Sequence, residues 1–93
     1  MYSALGRHQD ALLKGEKALE FRRRVLPENH PDIGITCFNL GVNYHGCGDF
    51  IRALQFAREA LRILRATLPP SHPQINQAQQ LERQCLDHVD QSF

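Results

Sequence analysis

Between Phe50 and Leu64, the residues Phe50, Ala53, Leu54, Ala57, Ala60, Leu61 and Leu64 keep i, i+3, i+4, i+7 spacing, with Arg52, Arg58, Glu59 and Arg62 among them. Steps of three and four residues put the apolar set on one face of a helix, and a helix of about five turns is predicted here. Upstream, Ile33, Thr36, Cys37, Leu40, Val42 and Tyr44 recur at mostly three- and four-residue spacing and predict another helix. The stretch "YHGCGDF" separates the two. Gly46 and Gly48 can supply the positive-φ residue that ends the first helix, and Asp49 is a good N-cap for the second. The unit is a helical hairpin.

The hairpin is written more than once. Aligned with a shift of 42, residues 1–33 and 43–75 share 12 of 33 positions, among them Tyr2/Tyr44, Gly6/Gly48, Ala11/Ala53, Leu12/Leu54, Ala18/Ala60 and Leu19/Leu61. The matches fall on small, apolar and helix-breaking residues, the types that packing and turns constrain. A fixed period in this range is the mark of a solenoid, whose units bury their faces only against neighbours. The joint between units reads "LPENHPDI" at Leu26–Ile33 and "LPPSHPQI" at Leu68–Ile75. Pro27 and Pro69 stop the preceding helix, Asn29 and Ser71 are N-cap types, and Pro31 and Pro73 suit a first helical turn. His30 and His72 could form a paired metal or proton site; turn chemistry, with imidazole bonding to nearby backbone, is the better reading.

These residues resemble a known family. Phe38 to Ile63 is similar to a tetratricopeptide repeat: Leu40, Gly41 and Tyr44 match the first-helix signature, Gly48 the turn, and Ala53 and Ala60 the small second-helix positions. The usual period is about 34 residues, and the longer one here resembles the variant of kinesin light chains and nephrocystin-type proteins. Two positions depart from the pattern, since Ala57 stands where a large aromatic is common and Gly15 occupies the matching place in the first copy. The resemblance implies an all-α fold of antiparallel helical hairpins stacked as a right-handed α-solenoid, about two repeats plus an extra helix. The whole chain, 1–93, then forms a single domain: a partial repeat over 1–26, a full repeat over 30–68, and a first-type or capping helix over 72–90. In this phase residues 1–5 are the last turn of a first helix and His8 to Leu26 its partner, so the chain reads as a piece of a longer array. The last helix drifts, with Leu81 aligned to Asn39 and Glu82 to Leu40.

Composition narrows the function without naming it. Hydrophobic content of 42%, charged content of 23% and a net charge of +1 exclude a strongly basic or acidic binder. No stretch approaches the roughly 18 apolar residues of a membrane span, and "MYSALGRHQD" lacks the apolar core of a secretory signal. The three cysteines, Cys37, Cys47 and Cys85, contain no CxxC pair. They fit a reducing compartment better than a disulfide framework, and a cytoplasmic location is expected. His45-Gly46-Cys47 sets a thiol near an imidazole in a turn, with no third group to orient either. None of the phosphate-binding, zinc-protease or nucleophile-elbow motifs occurs. An enzyme is not expected, nor a metal or cofactor. Arg22–Arg24, with Lys14 and Lys17, share their helix with Glu16 and Glu20, which reads as a solvated face with ion pairs at i, i+3 and i, i+4; an RNA-contacting surface is the weaker alternative, since no stacking aromatics accompany it.

Recognition remains. Stacked hairpins line a concave surface with their first helices, and such a groove takes extended or helical peptides. By the resemblance, the groove positions are Ile35, Phe38, Asn39, Val42 and His45 on the middle helix and Gln77, Gln80, Leu81, Gln84 and His88 on the last. Asn39 matches the asparagine that hydrogen-bonds a peptide in chaperone-binding members. Gln77 and Leu81 stand where those members carry Lys or Arg, so a clamp for an acidic C-terminus is not expected. The expected function is a protein–protein interaction module that binds a peptide or helical segment of another protein. The alternative is a structural segment that self-associates through its exposed terminal helices, as a homo-oligomer or by helix exchange.

Overall fold

The computed structural model describes residues 4–91, with side chains described from residue 8 to residue 90. Four α-helices follow one another: α1 (Ala4–Val25), α2 (Pro31–Gly46), α3 (Phe50–Thr67) and α4 (Pro73–Gln91), with no strand among the described residues. Each boundary has a local cause. Among the described residues only Gly48 takes a positive φ, +84°, and it turns the chain out of α2. Asp49 then caps α3, its Oδ1 accepting from the Arg52 N–H at 3.1 Å. The two proline joints differ from expectation in one respect: the cap of α2 is His30 rather than Asn29. Its Nδ1 accepts from the Asp32 N–H at 3.1 Å, and His72 Nδ1 does the same for Gln74 N–H at 3.1 Å. The repeated histidines are caps, each followed by a proline in the first turn, where a missing N–H leaves no bond unmade.

The packing order is α1 on α2, α2 on α3, α3 on α4, with α2 also touching α4; α1 and α3 do not meet. First-type helices are therefore neighbours on one side, and second-type helices splay apart on the other. The core is one cluster of Leu19, Ile33, Cys37, Leu40, Tyr44, Ala53, Ala57, Ala60, Leu61, Ile63, Leu64, Ile75, Ala78, Leu81 and Cys85. The positions that depart from the repeat pattern are closely packed: Ala57 is fully buried, and a Cβ added to Gly15 would lie 2.8 Å from Leu40 Cδ2. Gly41 brings α2 nearest to α3, since a Cβ there would meet the Ala53 carbonyl at 3.3 Å. The α1–α2 contact carries polar ties as well, for Tyr44 Oη donates to the Glu16 carboxylate and Arg22 Nη1 donates to Thr36 Oγ1.

One boundary departs from the repeat phase. The match of Gly6 to Gly48 predicts a turn between residues 5 and 8, yet α1 runs unbroken from Ala4 through this point. Glycine permits the turn without requiring it; at Gly48 the turn is held by α2 and α3 closing on each other, and among the described residues no first-type helix packs on the start of α1. No described helix is long and apolar enough to cross a membrane.

Candidate functional site: the surface of α2 and α4

On α2, burial takes Ile33, Gly34, Thr36, Cys37, Leu40, Gly41 and Tyr44. The positions left over at i, i+3, i+4 and i+7 are Ile35, Phe38, Asn39 and Val42. Ile35 and Phe38 rest partly on the core, Asn39 is exposed, and Val42 is 42% exposed. Asn43 Nδ2 donates to the Asn39 main-chain carbonyl at 3.0 Å. On α4, Gln77, Gln80, Gln84 and His88 are exposed.

Leu81 departs from its expected place. It is 5% exposed and belongs to the core, and its Cδ2 fills the space beside Gly41, 2.9 Å from where a Cβ would stand. It lies between α2 and α4 as part of the floor, not as a lining group. The reason is the drift of the last helix: Ile75, Ala78, Leu81 and Cys85 form the stripe that α4 buries, so Leu81 does on α4 what Leu40 does on α2. Gln80 also stands apart, sharing a polar recess of about 260 Å³ with Asn76, Gln79 and Arg83.

At one end the two helices are joined by rings. His45 on α2 meets His88 on α4 edge-on at 5.5 Å between centroids, and Phe50, at the start of α3, stacks on His88 at 3.9 Å and meets His45 edge-on at 5.1 Å. Phe50 was legible only as a core residue, yet it completes this three-ring cluster. Burial holds the His45 pKa below the ordinary imidazole range, and the neighbouring His88 adds to the shift. His45 Nε2 is buried with no hydrogen-bond partner among the described residues. A neutral imidazole packed on rings fits this setting; a charged one does not.

The remaining chemistry is spent on structure. Cys37 is fully buried, and burial pushes its thiol up to about 11; burial raises Cys85 as well. Both are protonated and inert near neutrality. The arginine run is largely absorbed: Arg22 reaches Thr36, and Arg24 pairs with Glu20 at 2.7 Å. Glu16 turns to Tyr44 instead of to the arginines. Arg23 and Glu28 on one side, and the Arg62–Glu59 ion pair of α3 (2.5 Å) on the other, line a cleft of about 330 Å³, a mixed-charge feature that pattern alone did not suggest. No group of three or more metal-ligating side chains is present among the described residues.

Hairpins whose first helices adjoin and whose second helices splay define a helical-repeat protein of the solenoid class. Within that class the chain belongs to the tetratricopeptide repeat family, whose model matches residues 1–66. No curated protein and no solved structure matches the chain. Tetratricopeptide repeats are in general non-enzymatic modules that mediate protein–protein interactions.

Proposed function

We propose that the exposed surface of α2 and α4 binds a peptide segment of another protein, uncharged over the stretch that it contacts. The observation that carries this reading is the character of the side chains left outside the core: apolar Ile35, Phe38 and Val42 beside the amides of Asn39, Gln77 and Gln84, with no carboxylate, ammonium or guanidinium among them. Amides serve both donors and acceptors of an extended backbone, and the apolar trio accepts one or two aliphatic or aromatic side chains. Leu81 supports the floor, and the His45–Phe50–His88 cluster holds α2, α3 and α4 together at one end. The long period supports the kinesin-light-chain-like variant, and three free thiols suit a reducing, cytoplasmic setting.

The test is capture of binding partners by the intact protein, compared between wild type and the Asn39→Ala and Val42→Glu variants. Both positions are exposed, so the fold should survive and the partner set should shrink. An unchanged partner set would sink the groove assignment.

A further inference from the structure

The cleft beside the first joint uses its charges unevenly. On its α3 wall, Arg62 is engaged on all three nitrogens: Nη2 and Nε donate to the two oxygens of Glu59 at 2.5 and 3.3 Å, and Nη1 donates to Asn29 Oδ1 at 3.1 Å. That wall is braced and locally neutral. On the facing wall, Arg23 bears on the Cys37 thiol, a weak acceptor. Among the described residues neither Arg23 nor Glu28 makes an ion pair. The floor is aliphatic: Leu26 is half-buried, and Ile33 and Ile63 are each 1% exposed. A volume of about 330 Å³ stands at the low end of small-molecule pockets, ~300–1,000 Å³, and suits one residue-sized molecule.

The internal repeat separates what a joint requires from what is left over. Under the shift of 42, Leu26 and Ile33 recur as Leu68 and Ile75, as packing at a joint demands. Arg23 recurs as Arg65, and both stand in the last turns of their helices, where a cation suits the macrodipole. Glu28 does not recur; its copy is Pro70. A joint closes without this carboxylate, so turn chemistry does not account for it. Only the first joint sets a cation and a carboxylate at the mouth of one aliphatic cleft.

The field selects the kind of molecule. Glu59 feels Arg23 as well as Arg62, and Arg62 feels Glu28, so the four charges interact in sequence and sum to zero, with Arg23 and Glu28 as the unpaired members. A lone anion brought to Arg23 is opposed by Glu59, and a lone cation brought to Glu28 is opposed by Arg62. A neutral apolar molecule leaves both end charges unserved. A molecule that carries both charges meets an opposite one at each end. We propose that this cleft binds a free α-amino acid with an aliphatic side chain, its carboxylate on the Arg23 guanidinium, its ammonium on the Glu28 carboxylate and its side chain on Leu26, Ile33 and Ile63. The site belongs to the first joint and the second-type helices, so it stands independently of peptide binding on the outer surface of α2 and α4.

Titration of the isotope-labelled whole chain with L-leucine at neutral pH, followed by backbone amide chemical shifts, tests it. Saturable shifts should centre on residues 23–33 and 59–63, with a dissociation constant on the order of millimolar, since both charges are exposed. N-acetyl-L-leucine and L-leucinamide each lack one charge and should bind at least about threefold more weakly. Arg23→Gln and Glu28→Gln should each weaken leucine binding by about the same factor with an unchanged helical signal. Arg65→Gln, at the joint without the carboxylate, should leave binding as it is. Absence of saturable shifts at these residues, or equal weakening by Arg65→Gln, would overturn the proposal. So would N-acetyl-L-leucine binding as well as leucine, which would point to the C-terminal residue of a peptide, or L-leucinamide doing so, which would point to an N-terminal one.

Discussion

The two histidine caps allow the sharpest separation between a structural and a chemical reading of the repeated joint. His30 Nδ1 and His72 Nδ1 each accept one backbone N–H, both at 3.1 Å, two residues into the following helix. Replacing either by alanine leaves that N–H with water alone, and loss of an N-cap acceptor costs about 0.5–2 kcal/mol. The α4 site is the cleaner measurement: Gln74 follows Pro73 there, whereas at α2 the carboxylate of Asp32 sits 3.8 Å from His30 Nδ1 and adds its own favourable term at the helix start. His72→Ala should therefore cost about 1 kcal/mol, which for a chain of this size lowers Tm by about 4–8 °C. His72→Asn keeps a side-chain acceptor at the cap and should recover most of the loss. The caps serve different helices and share no partner, so His30→Ala with His72→Ala should be additive within about 0.5 kcal/mol. Urea or thermal unfolding followed by helical circular dichroism provides the numbers. If His72→Asn is as damaging as His72→Ala, the imidazole acts through packing of its ring, and the capping argument fails.

Three further outcomes follow from burial and charge. Leu61→Ala should cost roughly 2–5 kcal/mol, a large share of the stability of so small a domain, because Leu61 is 3% exposed at the centre of α3; full retention of helical signal and Tm would mean the wrong face of α3 has been assigned to the core. Stability should fall by roughly 1–3 kcal/mol as pH rises from about 9 to 11. The folded state holds the protons of Cys37, Tyr44 and Cys85 more tightly than the unfolded chain, so the stabilisation is complete below that window and lost through it; a Tm that stays flat to pH 11 contradicts the buried thiols. On the acid side, His45 is held below its unfolded value, so its contribution is present above about pH 6.5 and lost below it; His45→Phe should flatten that acid limb in a pH series of melting curves, and an unchanged limb would assign the loss to other groups.

Much of the fold was legible because the repeat states the same constraints twice. Apolar positions at helical spacing, Gly48 at positive φ and Asp49 as a cap each follow from a residue type with few structural alternatives. The histidine caps were only half legible. Asn and Ser are stronger cap types than His, so "ENHP" and "PSHP" point one residue too early, and the ring nitrogen wins only because Pro31 and Pro73 set the helix start. The surface candidates were legible as a stripe but not as depths. Ile35, Phe38 and Val42 share a face by spacing alone, yet whether such a residue lines a surface or plugs a gap depends on the helix beside it.

Leu81 and Gly41 make that last point concrete, and they bear on specificity. Register carries Asn39 onto Leu81, a position that on α2 faces out. On α4 the same position faces in, because α4 touches α2 through a groove left by Gly41 and only a long side chain fills it. An amide there would be buried with few partners, at a cost of about 1–3 kcal/mol, so leucine is what the neighbouring glycine demands. The consequence reaches the surface above. With Leu81 committed to the floor, the outward groups of α4 beside α2 are Gln77, Gln84 and His88, and any polar recognition must come from Asn39 and these amides rather than from a charge. A carboxylate presented to this surface meets no cation among the candidate groups, whereas a peptide backbone meets amides on both helices. On the proposed reading, the packing of this one buried leucine favours neutral, extended segments over acidic termini.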